Sequence, residues 1–428
     1  MRKVKVGVVG CGGICKGTYM DNMVNKFEVI DVVACADQIG SRAKWIEEHY
    51  PGVKAMSVKD LMEDPEIEIV VNLTYPESHV EITKAAFEHG KHVYCEKMMA
   101  PTFADAKMLY DLAQEKGLLY TTAPDTFLGA WEQSARKYID DGIIGRPLTV
   151  HAQVSRHYNP ESPFFDTKPR HFFFPLHYGG GFPFDLGGYY LHEMINLFGS
   201  IKRVAGFGGN LFPQRVFENP KHPKYGEIFE VNTPTTLLAA LEFENGMLGT
   251  FNISSDTYTN HAFNVGGTQG YLQLGDPNMF TDTLVVTRPG AKPDPNLLGK
   301  PAPRRGDPND TDSQQLGEWN PEQSVELPLL HGFYESSRGV GLADMCYALL
   351  NDRRPRCHAD IGLHAVEVID AIQECCKTGK VYEIDHALPK ARAAGRHGFF
   401  RNLPGTRIGR LIIKIRYQNQ DLQKGIVT

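Results

Sequence analysis

Val4–Cys15, VKVGVVGCGGIC, constrains this chain more than any other stretch. Val4, Val6, Val8 and Val9 make a short apolar run, the composition of a strand buried on both faces of a parallel sheet. Gly10, Gly12 and Gly13 follow at once, and a helical pattern opens behind them with a pause at Gly17. Strand, glycine turn and helix in that order form the phosphate-binding start of a dinucleotide fold. Gly10 permits the tight turn, and Gly12 lets backbone amides approach a pyrophosphate. The helix that runs on from Gly13 and Ile14 aims its positive end at the same group. Cys15 takes the third glycine position of this fingerprint and is small enough for close helix–strand packing.

Val29–Ala36 reads as a second strand, and Asp37 stands at its end. A carboxylate there accepts hydrogen bonds from the adenosine ribose hydroxyls and repels a ribose 2′-phosphate, which favours NAD over NADP. Arg42, five residues on, leaves room for the phosphate, because its guanidinium can pair with one or stack on adenine.

The remaining bounds are broad. With 428 residues the chain can build two domains with proper cores. A net charge of −6 offers no basic field for nucleic acid or an anionic membrane, and no apolar run is long enough to span a bilayer. The eight cysteines form no CxxC pair and no small disulfide framework, which points to a reducing cytoplasm. Met1–Lys5 runs straight into a core strand, so no signal peptide is expected.

Strands and helices alternate over the first ~125 residues, the pattern of a doubly wound parallel sheet. Further strands are expected at Ile67–Leu73, Lys91–Cys95 and Leu118–Ala123. Helices are expected at His79–His89 and Thr102–Lys116, the latter with Thr102 as N-cap. Ligands of such a sheet sit at the carboxyl ends of its strands. Past Pro124 the pattern becomes that of an α/β domain with a large open, mainly antiparallel sheet. Its helices include Trp131–Asp141, Gly339–Leu350 and Ile361–Lys377. Strands are expected at Leu148–Arg156, Thr235–Phe243, Met247–Ser255 and Val265–Leu274, and Asn245-Gly246 between the second and third signals a hairpin. Pro289–Asn320 reads as a long surface loop. The expected division is a dinucleotide domain at 1–125, a substrate and assembly domain at 126–388, and a basic extension at 389–428. The extension is read as a solvated or inter-subunit arm rather than a partner-binding tail.

Two constellations carry chemistry. Glu96-Lys97 directly follows the fourth strand, so its lysine points into the crevice. An ammonium there can hydrogen-bond a substrate hydroxyl and stabilise the alkoxide that develops as hydride leaves. Thr74-Tyr75-Pro76 would form the loop under the cofactor ribose, and His79 would contact the cofactor or cap the next helix. The second constellation is Gly179–His192, GGGFPFDLGGYYLH. In one helix, Asp185, Tyr189 and His192 would share a face, a set suited to taking a proton from an alcohol. Lys97 nearby would ease ionisation of Tyr189, and His192 needs less tuning. The aromatic stretch His157–Tyr178 suits a sugar or glycoside, whose C–H faces stack on rings. Its histidines lack metal-ligand spacing, so no metal is expected. Asp125, past the fifth strand, with Arg156 and Tyr158, completes the candidate substrate contacts.

Taken together these residues resemble the glucose–fructose oxidoreductase / inositol dehydrogenase (Gfo/Idh/MocA) family over roughly residues 3–380. The likeness rests on Gly10-Cys11-Gly12-Gly13-Ile14-Cys15, Asp37, Thr74-Tyr75-Pro76 with His79, Glu96-Lys97, and Gly179-Gly180-Gly181 through Asp185. It implies a Rossmann domain, a second domain with an open sheet, oligomers built through that sheet, and hydride exchange at a sugar or cyclitol carbon assisted by the motif lysine. Met98 departs from the proline of the family's Glu-Lys-Pro motif. Tyr189 stands where the usual catalytic histidine is found, so the base is Tyr189 or His192. The resulting expectation is an NAD-dependent oxidation of a secondary ring hydroxyl of a sugar or glycoside, with the pyranose 3-position as one candidate. A redox-neutral conversion that retains NAD, and a non-catalytic NAD sensor, are the alternatives.

Overall fold

The computed structural model describes residues 2–156, 181–221, 223–258, 260–289 and 322–388. They fall into two compact units. The first holds residues 2–125, 337–364 and 386–388, and the second holds the described residues of 126–336 together with 365–385. A division into 1–125 and 126–388 does not provide for the return of 337–364 to the first unit. The physical reason is Asp125, whose buried Oδ2 accepts the backbone N–H groups of Gly339 at 2.7 Å and Gly341 at 3.0 Å.

The first unit is built on a six-stranded parallel sheet. Its strands are β1 (Val4–Val9), β2 (Ile30–Ala36), β3 (Lys54–Ala55), β4 (Ile69–Asn72), β5 (His92–Cys95) and β6 (Tyr120–Thr122). Their spatial order is β3-β2-β1-β4-β5-β6. Val4, Val6, Val8, Ile69, Val70, Val71 and Val93 are fully enclosed, as continuous β-branched runs in a two-sided parallel sheet must be. The order reverses between β1 and β4, the place where such sheets open a crevice for ligands. Register sets Val9 abreast of Ala36 and Asn72, and Asn72 abreast of Cys95. Gly10, Asp37, Leu73 and Glu96 therefore leave the sheet together at its carboxyl edge.

The helices behave as their caps dictate. Thr102 caps Phe103–Glu115, its Oγ1 accepting the Asp105 N–H at 3.1 Å and donating to the Asp105 carboxylate at 2.7 Å. The helix expected to begin at His79 spans Pro76–Glu88 instead. Pro76 at its start lacks only an N–H that the first turn leaves unpaired anyway, and its fixed φ already suits a helix. The helix behind the glycine turn is wound with π-type turns at Cys15–Tyr19 and Asn22–Lys26, the first of which takes in Gly17.

The second unit carries a nine-stranded sheet of mixed, mostly antiparallel pairing. Its strands are β7 (Pro147–Ser155), β8 (Ile201–Gly209), β11 (Thr236–Phe243), β12 (Leu248–Ser254), β13 (Asn260–Gly267), β14 (Gly270–Leu274), β15 (Val285–Pro289), β16 (Glu322–Glu326) and β17 (Tyr382–Glu383). A separate hairpin pairs β9 (Gln214–Val216) with β10 (Ile228–Glu230). The sheet runs β16-β15-β14-β13-β7-β12-β11-β8-β17, and only the β7–β12 pair is parallel. The Asn-Gly turn joins β11 to β12 as expected. The glycine-rich run Val265–Leu274, read as one strand, is instead the turn between β13 and β14. The turn amides of Thr268 and Gln269 find the carbonyls of Arg146 and Ile144 at 3.0 and 2.9 Å, which pins the reversal there. Expectations that fall on Pro289–Asn320 and on 389–428 lie almost wholly outside the described residues.

One face of this sheet is covered by helices. Gly187–Phe198 packs so closely on β12 that a Cβ at Gly187 would lie 2.9 Å from Phe251, and Phe198 meets Phe243 edge to face at 6.0 Å. The other face presents Phe207, 79% exposed, directly beside Leu238, 51% exposed.

Candidate functional site

In the first unit Gly10 turns with φ +97°, and a Cβ there would lie 2.6 Å from the Leu73 carbonyl group, so only glycine fits. A Cβ at Gly12 or Gly13 would meet nothing within 4 Å, and Ile14 is 40% exposed. The amides of this turn and the helix behind it thus border open space, the cradle that a pyrophosphate requires. Asp37 closes the turn: its carboxylate accepts Cys11 N–H and Ile39 N–H, each at 2.8 Å, with the Arg42 guanidinium 4.0 Å away. The residues therefore fit a dinucleotide. Gly10, Gly12, Gly13 and Ile14 would hold its pyrophosphate, and Asp37 with Arg42 would hold its adenosine end.

A second cluster lies one strand over. The Asn72 side chain spans the β4–helix turn, donating to the His79 carbonyl and to Thr83 Oγ1 at 3.1 Å each and accepting the Thr74 hydroxyl at 2.6 Å. His79 is fully enclosed, with Nδ1 2.7 Å from the Met98 carbonyl and Nε2 3.1 Å from the Thr74 carbonyl. Burial holds its pKa below the ordinary imidazole value. The neutral ring has one N–H, and the shorter contact assigns it to Nδ1. His79 thus neither caps a helix nor lies open to a ligand; it braces the Thr74 loop against the backbone after Lys97. Tyr75 is half-buried, and Pro76 is buried as the first residue of its helix.

Lys97 is half-buried just beyond β5. Its backbone N–H bonds Glu96 Oε2 at 2.9 Å, and Glu96 Oε1 accepts the hydroxyl of Tyr19 at 2.7 Å. The Lys97–Met98 peptide is cis. Asp125 is fully enclosed, with Oδ2 committed to Gly339 and Gly341. Burial raises its pKa, opposed by Arg338 and by those two amides. The side chain expected to touch substrate is instead a tether inside the first unit, because the N–H groups opening the Val340–Leu350 helix need an acceptor.

In the second unit the expected stripe is broken. Asp185 ends a short helix, Gly181–Asp185, and the next helix starts at Gly187 after a bend at Leu186. The close seat of Gly187 on β12 sets that bend. Asp185 is half-buried on the first helix, while Tyr189 and His192 share a face of the second. His192 Nδ1 lies 2.7 Å from the Gly188 carbonyl, which leaves Nε2 as the basic nitrogen. Arg156 ends β7 with an exposed side chain, its own N–H on the Ser254 carbonyl at 3.0 Å. Tyr158 lies outside the described residues.

The sequence reading did not single out Tyr19. It also missed two carboxyls, Glu132 on Ala130–Asp140 and Glu193 beside His192, both fully enclosed. Burial pushes both far above the usual carboxyl range, and the charge of Glu193 adds to the rise at Glu132. No local spacing marks that pair, because the two residues belong to different helices. Among the described residues no group of His, Cys, Asp and Glu could hold a metal ion.

Comparison with known proteins agrees with this geometry. Residues 4–123 match the family model described as "Oxidoreductase family, NAD-binding Rossmann fold", and residues 133–273 match the "GFO/IDH/MocA C-terminal domain". The uncharacterized oxidoreductase YhhX of Escherichia coli is 34% identical over 146 residues, covering 34% of this chain and 39% of that protein. Inositol 2-dehydrogenase of Salmonella typhimurium is 30% identical over 162 residues, covering 36% of this chain and 46% of that protein. The chain thus spans about half or less of the length of these relatives. Among solved structures, apo levoglucosan dehydrogenase superposes with a TM-score of 0.71 at 20% identity, covering 91% of this chain and all of that one, which establishes a shared fold.

Proposed function

The chain belongs to the Gfo/Idh/MocA oxidoreductase family, and from that premise we propose that it oxidises a secondary ring hydroxyl of a sugar or glycoside by hydride transfer to NAD. The observation that carries this reading is Lys97, set just beyond β5 at the carboxyl edge that also bears the Gly10–Gly13 cradle and Asp37. Relatives are named for inositol and levoglucosan, both ring compounds bearing secondary hydroxyls.

Bound NAD supplies the hydride acceptor. Lys97 donates a hydrogen bond to the hydroxyl under oxidation, and its charge favours the developing alkoxide. His192 or Tyr189 accepts the proton; the Nδ1 contact of His192 presents the right tautomer for that task. Asp185 and Arg156 are substrate contacts in this reading. The apolar strip of Phe207 and Leu238 is the face through which copies of the chain assemble. All eight cysteines are free thiols, in keeping with a reducing cytoplasm.

A panel of glycosides and cyclitols with NAD, followed by NADH absorbance and by NMR location of the new ketone, tests the proposal. Lys97→Ala is expected to lower kcat by about 10²–10⁴-fold while NADH still quenches protein fluorescence on binding. Turnover that is unchanged in the variant, or NADH binding without any oxidised ring substrate, removes it.

A further inference from the structure

We infer that Tyr19 is a positioning residue for Lys97, acting through Glu96; the inference rests on the reading of Lys97 given above. Tyr19 closes the π-type turn Cys15–Tyr19 on the helix whose start faces the pyrophosphate cradle. A π turn holds one residue more than an α turn, and such turns recur at functional sites. Here the turn ends on a phenol that is fully enclosed in the first unit. The ring packs edge to face on Tyr94 of β5, centroids 6.3 Å apart, which fixes its direction.

From that seat the hydroxyl donates to Glu96 Oε1 at 2.7 Å, while Glu96 Oε2 takes the N–H of Lys97 at 2.9 Å. One carboxylate therefore joins the dinucleotide helix to the backbone of the lysine. The same segment is also held further along the chain: Asn22 Nδ2 bonds the Arg338 carbonyl at 3.0 Å, and Lys26 Nζ bonds Ser337 Oγ at 2.7 Å. A buried carboxylate that loses a hydroxyl donor is free to rotate, and its charge moves with it relative to the neighbouring ammonium.

Tyr19→Phe keeps the ring and deletes the oxygen. In the full chain it is expected to lower kcat about tenfold and to leave the NADH dissociation constant within about threefold. It is also expected to move the pH midpoint at which Lys97 is labelled by reductive methylation, read by mass spectrometry. Glu96→Gln approaches the same link from the other end and should move that midpoint too. The double variant should be no worse than Glu96→Gln alone, since both changes cut one connection. A labelling midpoint unchanged in both single variants overturns the inference. So does a Tyr19→Phe variant in which kcat, NADH affinity and melting temperature all fall together, the mark of a general loss of structure. Failure of the hydride-transfer reading shows elsewhere, as full turnover in Lys97→Ala, and leaves the labelling comparison readable.

Discussion

Two sets of buried acids, one in each unit, meet opposite surroundings. In the first, Asp37 and Glu96 sit at strand ends and meet backbone and side-chain donors: Cys11 and Ile39 amides for one, the Lys97 amide with the Tyr19 hydroxyl for the other. Asp125 is intermediate, with two amides on one oxygen and a raised pKa. In the second unit Glu132 and Glu193 are enclosed between helices, and neither oxygen of Glu132 has a hydrogen-bond partner. Turns and helix starts supply unpaired N–H groups, so they can hold an acid near a ligand; helix sides supply none, so burial there raises an acid's pKa. The contrast separates acids held by backbone N–H groups at the cofactor edge from a pair whose pKa burial raises in the second unit.

The largest effect is expected from breaking the glycine turn on which the first unit's acids depend. Gly10→Ala forces a Cβ against the Leu73 carbonyl and an L side chain into φ +97°. It should cost roughly 3 kcal/mol and abolish NADH quenching, as denaturant melts and fluorescence titration will show.

The next test separates the units by pH. The pKa values of Glu132 and Glu193 are raised, so their contribution is fully present below the unfolded carboxyl value of about 4.3 and is lost as pH rises above it. Glu132→Gln, which needs no proton, should gain about 1–2 kcal/mol on the wild type at pH 8 and little at pH 5. Hydrogen exchange of the Ala130–Asp140 amides against pH measures it. An equal effect at both pH values would overturn the raised pKa of this pair.

The first unit should respond in the opposite sense. Burial pushes the His364 imidazole down to about 4, with Nδ1 2.6 Å from the His386 carbonyl. A depressed pKa gives stability that is present above the unfolded value of about 6.5 and lost as pH falls toward 4. His364→Gln should flatten that acid limb, seen as exchange protection in β6 between pH 7 and 4.5. Smallest of all, Thr102→Ala removes one cap from the first unit and should cost about 1 kcal/mol with no change in NADH binding, by denaturant melts.

Much of the first unit was legible because its instructions are local. The Val4–Val9 run, the positive φ of Gly10, the Asp37 bond to the Ile39 amide and the Thr102 cap each show within a few residues of sequence. Where local rules competed, the strand or helix boundary shifted: Pro76 outbid His79 as a helix start, and the Thr268-Gln269 turn divided what composition alone joined. The bend at Leu186 was not legible, since it answers to the seat of Gly187 on Phe251, a contact across more than sixty positions of chain.

By itself, then, the sequence determined the parallel sheet, its glycine cradle, the acid that closes the cradle and the lysine beyond β5, because apolar runs, backbone sterics and turn residues mark each of them locally along the chain. The tertiary structure alone decided that residues 337–364 return to seal Asp125, that Tyr19 reaches Glu96, and that Glu132 and Glu193 are enclosed together. Those outcomes depend on which surfaces become dry when distant segments pack. Burial sets the strength of a charge or a hydrogen bond, and it is a property of the packed chain rather than of any stretch of it.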